Sequence, residues 1–187
     1  MIEEQLRQAF SHLARVMCRQ LVKTIPRRRE IWNREGTSLY LERWYILGGP
    51  SEEGEWKDAP LQVCIHRFAR SDEDGALHNH PWEQSMSFIL AGGYSEERRV
   101  TDRNTGAVQV KRYFYPPFHF NLIASDDFHR VDLFEEDCWT IFVSSKKTQS
   151  WGFWDRVTGV FTPWREFIAQ LRGVDPQSLN DNIRTTK

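Results

Sequence analysis

The stretch LHNHPWEQSMSFILAGGY, residues 77–94, decides the fold. It places His78 and His80 one residue apart and ends close to a Gly-Gly pair. Side chains alternate across a strand, so both imidazoles point to one face and Asn79 points to the other. Two imidazoles on one face form either two corners of a metal site or two polar groups that hydrogen-bond at the end of a strand.

A metal site needs a third donor from another strand, and His129 is the best candidate. It lies in the strand-like segment FHRVDLF, about fifty residues after the pair. Three histidines in this order favour a metal over the hydrogen-bonding role. Among the other histidines, only His66 is a candidate for lining the same cavity.

Two segments resemble the motifs of the cupin superfamily. The opening stretch resembles the first motif, G-x5-H-x-H-x3,4-E-x6-G, and ASDDFH resembles the second, whose core is P-x-G-x-x-H. His78 and His80 match the paired histidines, Gly92 the closing glycine and His129 the second-motif histidine. The resemblance covers about residues 61–143. It implies an all-β, double-stranded β-helix (jelly-roll) barrel with a metal inside, near one mouth.

The chain departs from the cupin pattern at several positions. Gly75 stands nearer the histidines than the first glycine of the motif. Ser85 stands where most cupins have a glutamate ligand, and Ala124 and Asp126 replace the proline and glycine of the second motif. The site therefore resembles the three-histidine cupins, such as the thiol dioxygenases. Glu83 or Gln84 becomes a fourth ligand only if a local bulge turns one of them inward.

A further difference concerns the reaction. Thiol dioxygenases carry serine, histidine and tyrosine at alternate positions on the strand after the last metal histidine, and the run TIFVSSKK has no such set. The resemblance therefore implies a metal more strongly than it implies thiol oxidation. The combination of H-x-H-P-W, G-G-Y, H-R-V and W-G-F-W is also similar to uncharacterised bacterial and phage cupin-like proteins.

Three neutral imidazoles suit Fe(II), Zn, Ni or Mn and leave coordination positions open. We expect Fe(II) and an oxygenase or dioxygenase-like enzyme that acts on a small polar molecule. Two alternatives stay open. One is a non-catalytic barrel that binds a small ligand, and the other is a Zn- or Mn-dependent isomerase or hydrolase with Glu83 as the base.

Inward positions near the histidines predict the substrate pocket. Ser85 and Ser87 share a face by alternation, and Trp82 and Tyr94 are placed to frame the entrance. Trp151, in QSWGFWD, either covers the barrel mouth or plugs the core.

Two arginines on predicted strands are further candidates for contacting the substrate. Arg67 or Arg112, if turned inward, would hold a carboxylate or phosphate, and Tyr94 would act beside them. The alternative for each arginine is an outward, solvated position.

Composition limits the other possibilities. The chain has 187 residues, a net charge of −1, eight Trp and twelve Phe, which suits one aromatic-rich domain and gives no support for nucleic acid as a partner. Its three cysteines are scattered, which suits a reducing compartment. Its first residues include Glu3-Glu4 and no long apolar run, so we expect neither a signal peptide nor a membrane span. We therefore expect a cytoplasmic protein.

Periodicity predicts three regions: a helical extension over 1–36, the barrel over 37–160, and a helix with a polar tail over 161–187. Residues 3–22 carry apolar side chains at helical spacing, and residues 164–172 form the second helix. The short basic run Arg27-Arg28-Arg29 is read as a connection. A homodimer is possible, with the first helix taking part.

Overall fold

The computed structural model describes residues 2–49, 59–72, 75–179 and 183–184. The helices are α1 (Ile2–Leu21) and α2 (Trp164–Arg172), with short 3-10 turns at Val22–Thr24 and Pro176–Ser178. The strands are β1 (Arg28–Trp32), β2 (Leu39–Leu47), β3 (Leu61–Phe68), β4 (Leu77–His78), β5 (Gln84–Ala91), β6 (Tyr94–Thr101), β7 (Val108–Tyr115), β8 (Phe120–Ala124), β9 (His129–Leu133), β10 (Cys138–Ser145), β11 (Gly152–Trp154), β12 (Phe161–Pro163) and β13 (Ile183–Arg184). Both helices that the periodicity predicted are present.

The strands form two antiparallel sheets. One has the order β13-β1-β2-β3-β10-β5-β8 and the other β12-β11-β4-β9-β6-β7. Within them, β3-β10-β5-β8 and β4-β9-β6-β7 are two four-stranded sheets between which the chain crosses repeatedly. That order is a jelly roll, so the predicted fold class is confirmed. Strands β1, β2, β11, β12 and β13 extend the two sheets at one edge.

Alternation along β5 sets the inner face. Ser85, Ser87, Ile89 and Ala91 are buried, and the residues between them are more exposed. Ile89 packs with Tyr94 of the opposite sheet in a core cluster that joins the two layers. The inward run predicted for this strand is therefore confirmed.

Gly92 ends β5 in a conformation that requires glycine. Its φ is 78°, and a Cβ there would lie 2.2 Å from the carbonyl oxygen of Asp137. The Gly92 amide donates to the Ser11 hydroxyl at 2.9 Å, which ties the turn to α1. The glycine that the cupin motif singled out therefore allows a close approach of two chain segments.

Helix α1 packs on the outer face of the larger sheet. Its periodicity predicts that the apolar stripe is the buried side, but the opposite side of the helix contacts the sheet. Ser11 and Cys18 are buried, whereas Phe10 and Met17 of the predicted apolar stripe are 56% and 63% exposed. The buried positions are small, and small residues let the helix approach the large rings of the sheet closely. The apolar stripe of α1 thus lies outward. Neither described α-helix combines the length and hydropathy needed to cross a bilayer.

The sequence patterns did not indicate several of these strands, among them β1 and β8. Strand β1 contains Arg28 and Arg29, so that basic run begins a strand and is not a connection. Strand β8 follows Pro116-Pro117 and exposes Phe120 and Leu122, which hid its alternation. The regions assigned as 1–36 and 161–187 therefore each contribute strands to the sheets.

Asp137 joins α1 to the jelly roll. Its carboxylate accepts from Arg15 at 2.6 Å, from Arg67 at 3.1 Å and from the Trp139 indole at 3.2 Å. Burial alone would raise the pKa of Asp137, but the two guanidinium groups hold it below its ordinary value. The carboxylate therefore stays ionised in the fold.

We expect Asp137→Asn to lower the free energy of unfolding by about 2 kcal/mol, because it leaves two guanidinium groups without their shared anion. Because the pKa of Asp137 is lower in the folded than in the unfolded protein, its carboxylate stabilises the fold fully at pH values above the unfolded pKa of about 3.9. This stabilisation is lost as the pH falls through the folded-state pKa. The deficit should therefore be constant at neutral pH and shrink in acid. Urea unfolding from pH 7 to pH 3 measures it.

Glu135→Gln is the matched control, since Glu135 also binds Arg15 but is 45% exposed on its side chain. Its effect should stay within a few tenths of a kcal/mol. Equal losses in the two variants would contradict the role given to Asp137.

Candidate metal centre

Three histidines converge inside the jelly roll. His78 ends β4, His80 follows two residues later, and His129 begins β9, where it pairs directly with His78 across the strands. One ring nitrogen from each lies within 4.8 Å of the others. The Nε2 atoms of His80 and His129 are 2.8 Å apart. The sequence prediction that these three side chains meet is confirmed.

Burial keeps two of these imidazoles neutral. Desolvation, followed by the neighbouring His129, lowers the pKa of both His78 and His80 well below 6.5. A neutral imidazole offers a lone pair to a metal, whereas a protonated one does not. The two side chains are therefore in the ligating form at neutral pH.

Glu96 fixes the orientation of His129. It is fully buried on β6, and its carboxylate accepts a short hydrogen bond from His129 Nδ1. Burial alone would raise the pKa of Glu96, but His129 and Arg98 hold it below its ordinary value. With the proton on Nδ1, the Nε2 lone pair of His129 faces His80. This carboxylate–histidine pair is the arrangement that supports metal-ligating histidines.

A buried polar network holds Glu96 in turn. Arg98 donates to both of its carboxylate oxygens, at 3.0 and 2.9 Å, and Asn121 donates to one at 3.2 Å. Asn121 also donates to the Tyr94 hydroxyl at 3.1 Å. The network spans both sheets, because Asn121 lies on β8 and the other residues lie on β6 and β9.

Glu96 is the residue that the sequence reasoning missed. The sequence analysis assigned no role to the acidic residues of the segment EERRV, residues 96–100. The signal was available in the alternation from Tyr94, which places Glu96 and Arg98 on the same face. Tyr94 itself is 2% exposed and is one of the residues that line the cavity.

The histidines open onto one cavity of about 330 Å³. Trp82, Ser87 and Trp151 line it, as predicted from the sequence, and so do His66 and Tyr94. Trp151 stacks on Trp164 of α2 with ring centroids 5.7 Å apart, so it forms part of the wall that the C-terminal helix supports.

Other predicted site residues lie elsewhere. Arg67 binds Glu42 and Asp137 and is not among the residues that line the cavity. Arg112 is 51% exposed on its side chain and binds Glu97 at 2.6 Å. Arg67 alternates with His66, which lines the cavity, so Arg67 lies on the outward face of β3. Arg112 pairs across the strands with Glu97, which lies on the face of β6 opposite to Glu96. The structure therefore does not place Arg67 or Arg112 among the residues that line the cavity, and their catalytic role stays a prediction.

The acidic position of the cupin motif contains no acid. Ser85 is buried, and its hydroxyl donates to the Ile123 carbonyl at 3.4 Å, so it faces inward but does not line the cavity. Glu83 is 56% exposed on its side chain and lies 3.7 Å from Lys146. Gln84 is exposed as well. Among the described residues, the group able to hold a metal consists of the three histidines.

The donor set fits a divalent transition metal. Two ligands at about 2.1 Å from a metal and at right angles lie roughly 3 Å apart, which is close to the observed spacing of the two Nε2 atoms. Imidazoles suit Fe(II), Zn, Ni and Mn alike, so the donors alone do not select among them.

Comparison with known proteins gives partial structural matches. No family model and no curated protein sequence matches the chain. KdgF from Halomonas sp. shares 15% identity, with a TM-score of 0.36 over 58% of this chain and 81% of its own. A DMSP lyase structure shares 14% identity, with a TM-score of 0.38 over 56% and 47%. Hydroxypropylphosphonic acid epoxidase from S. wedmorenis shares 12%, with a TM-score of 0.40 over 63% and 55%.

The chain thus matches about half the length of the last two proteins. The strand order described above and the histidines inside it define the class: the protein has the cupin fold, with a three-histidine group in the interior that could bind a metal.

We expect His78→Ala, His80→Ala and His129→Ala each to weaken metal binding by at least ~100-fold, because loss of even an outer partner of a ligand costs 10–100-fold. Metal content after reconstitution with Fe(II), Mn, Ni or Zn, measured by mass spectrometry, provides the test. Glu83→Ala and His119→Ala are the controls and should bind metal as the wild type does. A wild type that takes up none of these metals would refute the site.

Glu96→Gln should lower metal affinity by roughly 10–100-fold while leaving the three ligands in place, because an amide cannot hold the His129 proton as a carboxylate does. Competition with a chelator measures the affinity. Glu97→Gln, one residue along on the opposite face of β6, should leave it unchanged. Equal affinities for wild type and Glu96→Gln would show that Glu96 serves only the fold.

Proposed function

We propose that this protein is a metal-dependent oxygenase that acts on a small molecule in the cavity beside His78, His80 and His129. The observation that carries the proposal is the convergence of three imidazoles on the wall of an aromatic-lined cavity, with Glu96 behind one of them. Fe(II) bound by three neutral imidazoles would supply a redox-active centre with coordination positions open to substrate and oxygen.

The chain's own residues prepare the site for such chemistry. Glu96 holds a proton at His129 Nδ1, which directs the other nitrogen toward the centre. The aromatic rings of Trp82, Phe142 and Phe153 line the cavity and give it an apolar wall. Burial raises the pKa of Tyr94, so its hydroxyl stays protonated and is available as a hydrogen-bond donor.

The structure weighs against the hydrolase alternative in the form that the sequence suggested. That reading used Glu83 as a base, but Glu83 points to solvent beside Lys146. Asp72, the acidic residue among those that line the cavity, accepts the Val131 amide at 2.7 Å and lies 4.0 Å from His78 Nδ1. The Asp72 carboxylate therefore serves as a hydrogen-bond acceptor for the backbone of β9.

Oxygen consumption tests the proposal. Protein loaded anaerobically with Fe(II) should consume oxygen with one class of a panel of aromatic acids, aliphatic acids, thiols and nucleotides. The Zn-loaded protein and Fe(II)-treated His129→Ala should consume none above background. Ligand binding without oxygen consumption or product by the Fe(II) protein would replace the oxygenase with a binding protein.

A further inference from the structure

A row of polar side chains crosses the inner face of the larger sheet. Arg43 on β2 pairs across the strands with His66 on β3, and His66 pairs with Thr140 on β10. All three are buried, with exposed fractions of 7%, 2% and 0%. Arg43 and His66 line the same cavity as the metal-site histidines. The row belongs to the inner wall of that cavity.

These polar groups have unmet hydrogen-bonding capacity. Arg43 Nε, both ring nitrogens of His66 and Thr140 Oγ1 are buried and find no partner among the residues that the structure describes. Buried polar groups are almost always paired, and a buried guanidinium without an anion is costly. A cluster of such groups on a cavity wall points to a ligand that completes them.

The charge of the cavity wall indicates the charge of that ligand. Within the described part of the chain, the residues lining the cavity include five basic side chains (Arg29, Arg34, Arg43, Lys147 and Arg172) against the single acid Asp72. No carboxylate within the described residues forms an ion pair with Arg43. A guanidinium matches the planar fork of a carboxylate, and a neutral imidazole beside it can donate one further hydrogen bond. The wall therefore suits an anion.

The aromatic side chains around Arg43 and His66 indicate the shape of the uncharged part of the ligand. The Arg43 guanidinium lies over Trp82 and Phe142, with its Cζ 5.4 and 5.6 Å from the ring centroids. His66 stacks on Phe142 at 4.5 Å, and Trp82 lies 5.5 Å from the His80 ring. Trp82 thus contacts both the basic group and one of the metal-site histidines. A cavity of this size, at the small end of ligand pockets, fits one flat ring.

We propose that the cavity binds a small aromatic carboxylate, with its carboxylate on Arg43 and His66 and its ring among the aromatic walls beside the histidines. The inference deepens the proposed function, on which it rests, by naming the substrate class of that site. Arg43 selects the anion, His66 adds a donor, and the histidine centre faces the ring or its substituents.

Calorimetric titration with three probes tests this assignment. Benzoate carries both features, benzamide keeps the ring without the charge, and acetate keeps the charge without the ring. Benzoate should bind the Zn-loaded wild type at least ~10-fold more tightly than either analogue. Arg43→Met should weaken benzoate binding at least ~10-fold and leave benzamide binding unchanged, and Arg43→Lys should recover part of the affinity.

Arg112→Met is the matched control, because Arg112 lies on the outer face of β7, and it should bind benzoate as the wild type does. Unfolding curves establish whether each variant is folded. If Arg43→Met does not fold, the benzoate affinity of Arg43→Lys decides the test. Benzamide binding as tight as benzoate binding, unchanged benzoate affinity in the Arg43 variants, or no benzoate binding by the folded wild type would each overturn the assignment.

Repeating the titration without metal separates the two proposals. If the protein binds no metal but benzoate still depends on Arg43, the oxygenase fails and the anion site stands. If the protein binds metal and consumes oxygen but benzoate affinity is the same in the wild type and the Arg43 variants, the anion site is refuted and the oxygenase proposal is kept.

Discussion

The hydrogen bond between the buried carboxylate of Glu96 and His129 is the interaction on which the site depends. A fully buried carboxylate is tolerated only when it is well paired, and here His129, Arg98 and Asn121 all donate to it. The same bond sets the tautomer of His129 and aims its second nitrogen at His80. Fold and site therefore share one buried charge, and neither can change without affecting the other.

The jelly roll supplies the rigidity that this arrangement needs. His78 and His129 are direct partners on neighbouring strands, so the backbone ladder fixes their separation. Glu96 and Asn121 face each other from opposite sheets and bond across the interior. Side chains held on strands by a filled core have little freedom to relax, which keeps the imidazoles close together in spite of the cost of burying them.

The histidine spacing could be predicted because it is local: H-x-H fixes two side chains on one face, and a third histidine on a later strand completes the set. Alternation from Ser85 to Ile89 was readable for the same reason. The inward position of Arg43 could not be predicted, because its strand LYLERWYIL is buried on both faces and carries charged residues on each face. Nor could sequence show that Asp137 holds Arg67, because the two residues lie far apart in the chain. The outward turn of the α1 stripe depends on how closely small residues let a helix approach a sheet, which periodicity does not report.

The cavity is assembled from two sources. The three histidines come from β4, the segment just after it and β9, within the jelly roll, whereas much of the wall comes from β1, β2, β11 and α2 at its edge. A change in Trp151 or Trp164 would alter the shape presented to a ligand without replacing any of the three imidazoles. Such a division lets the shape of the cavity change in evolution while the three histidines are kept, and it gives an engineer a set of positions at which the wall can be varied independently of the histidine group.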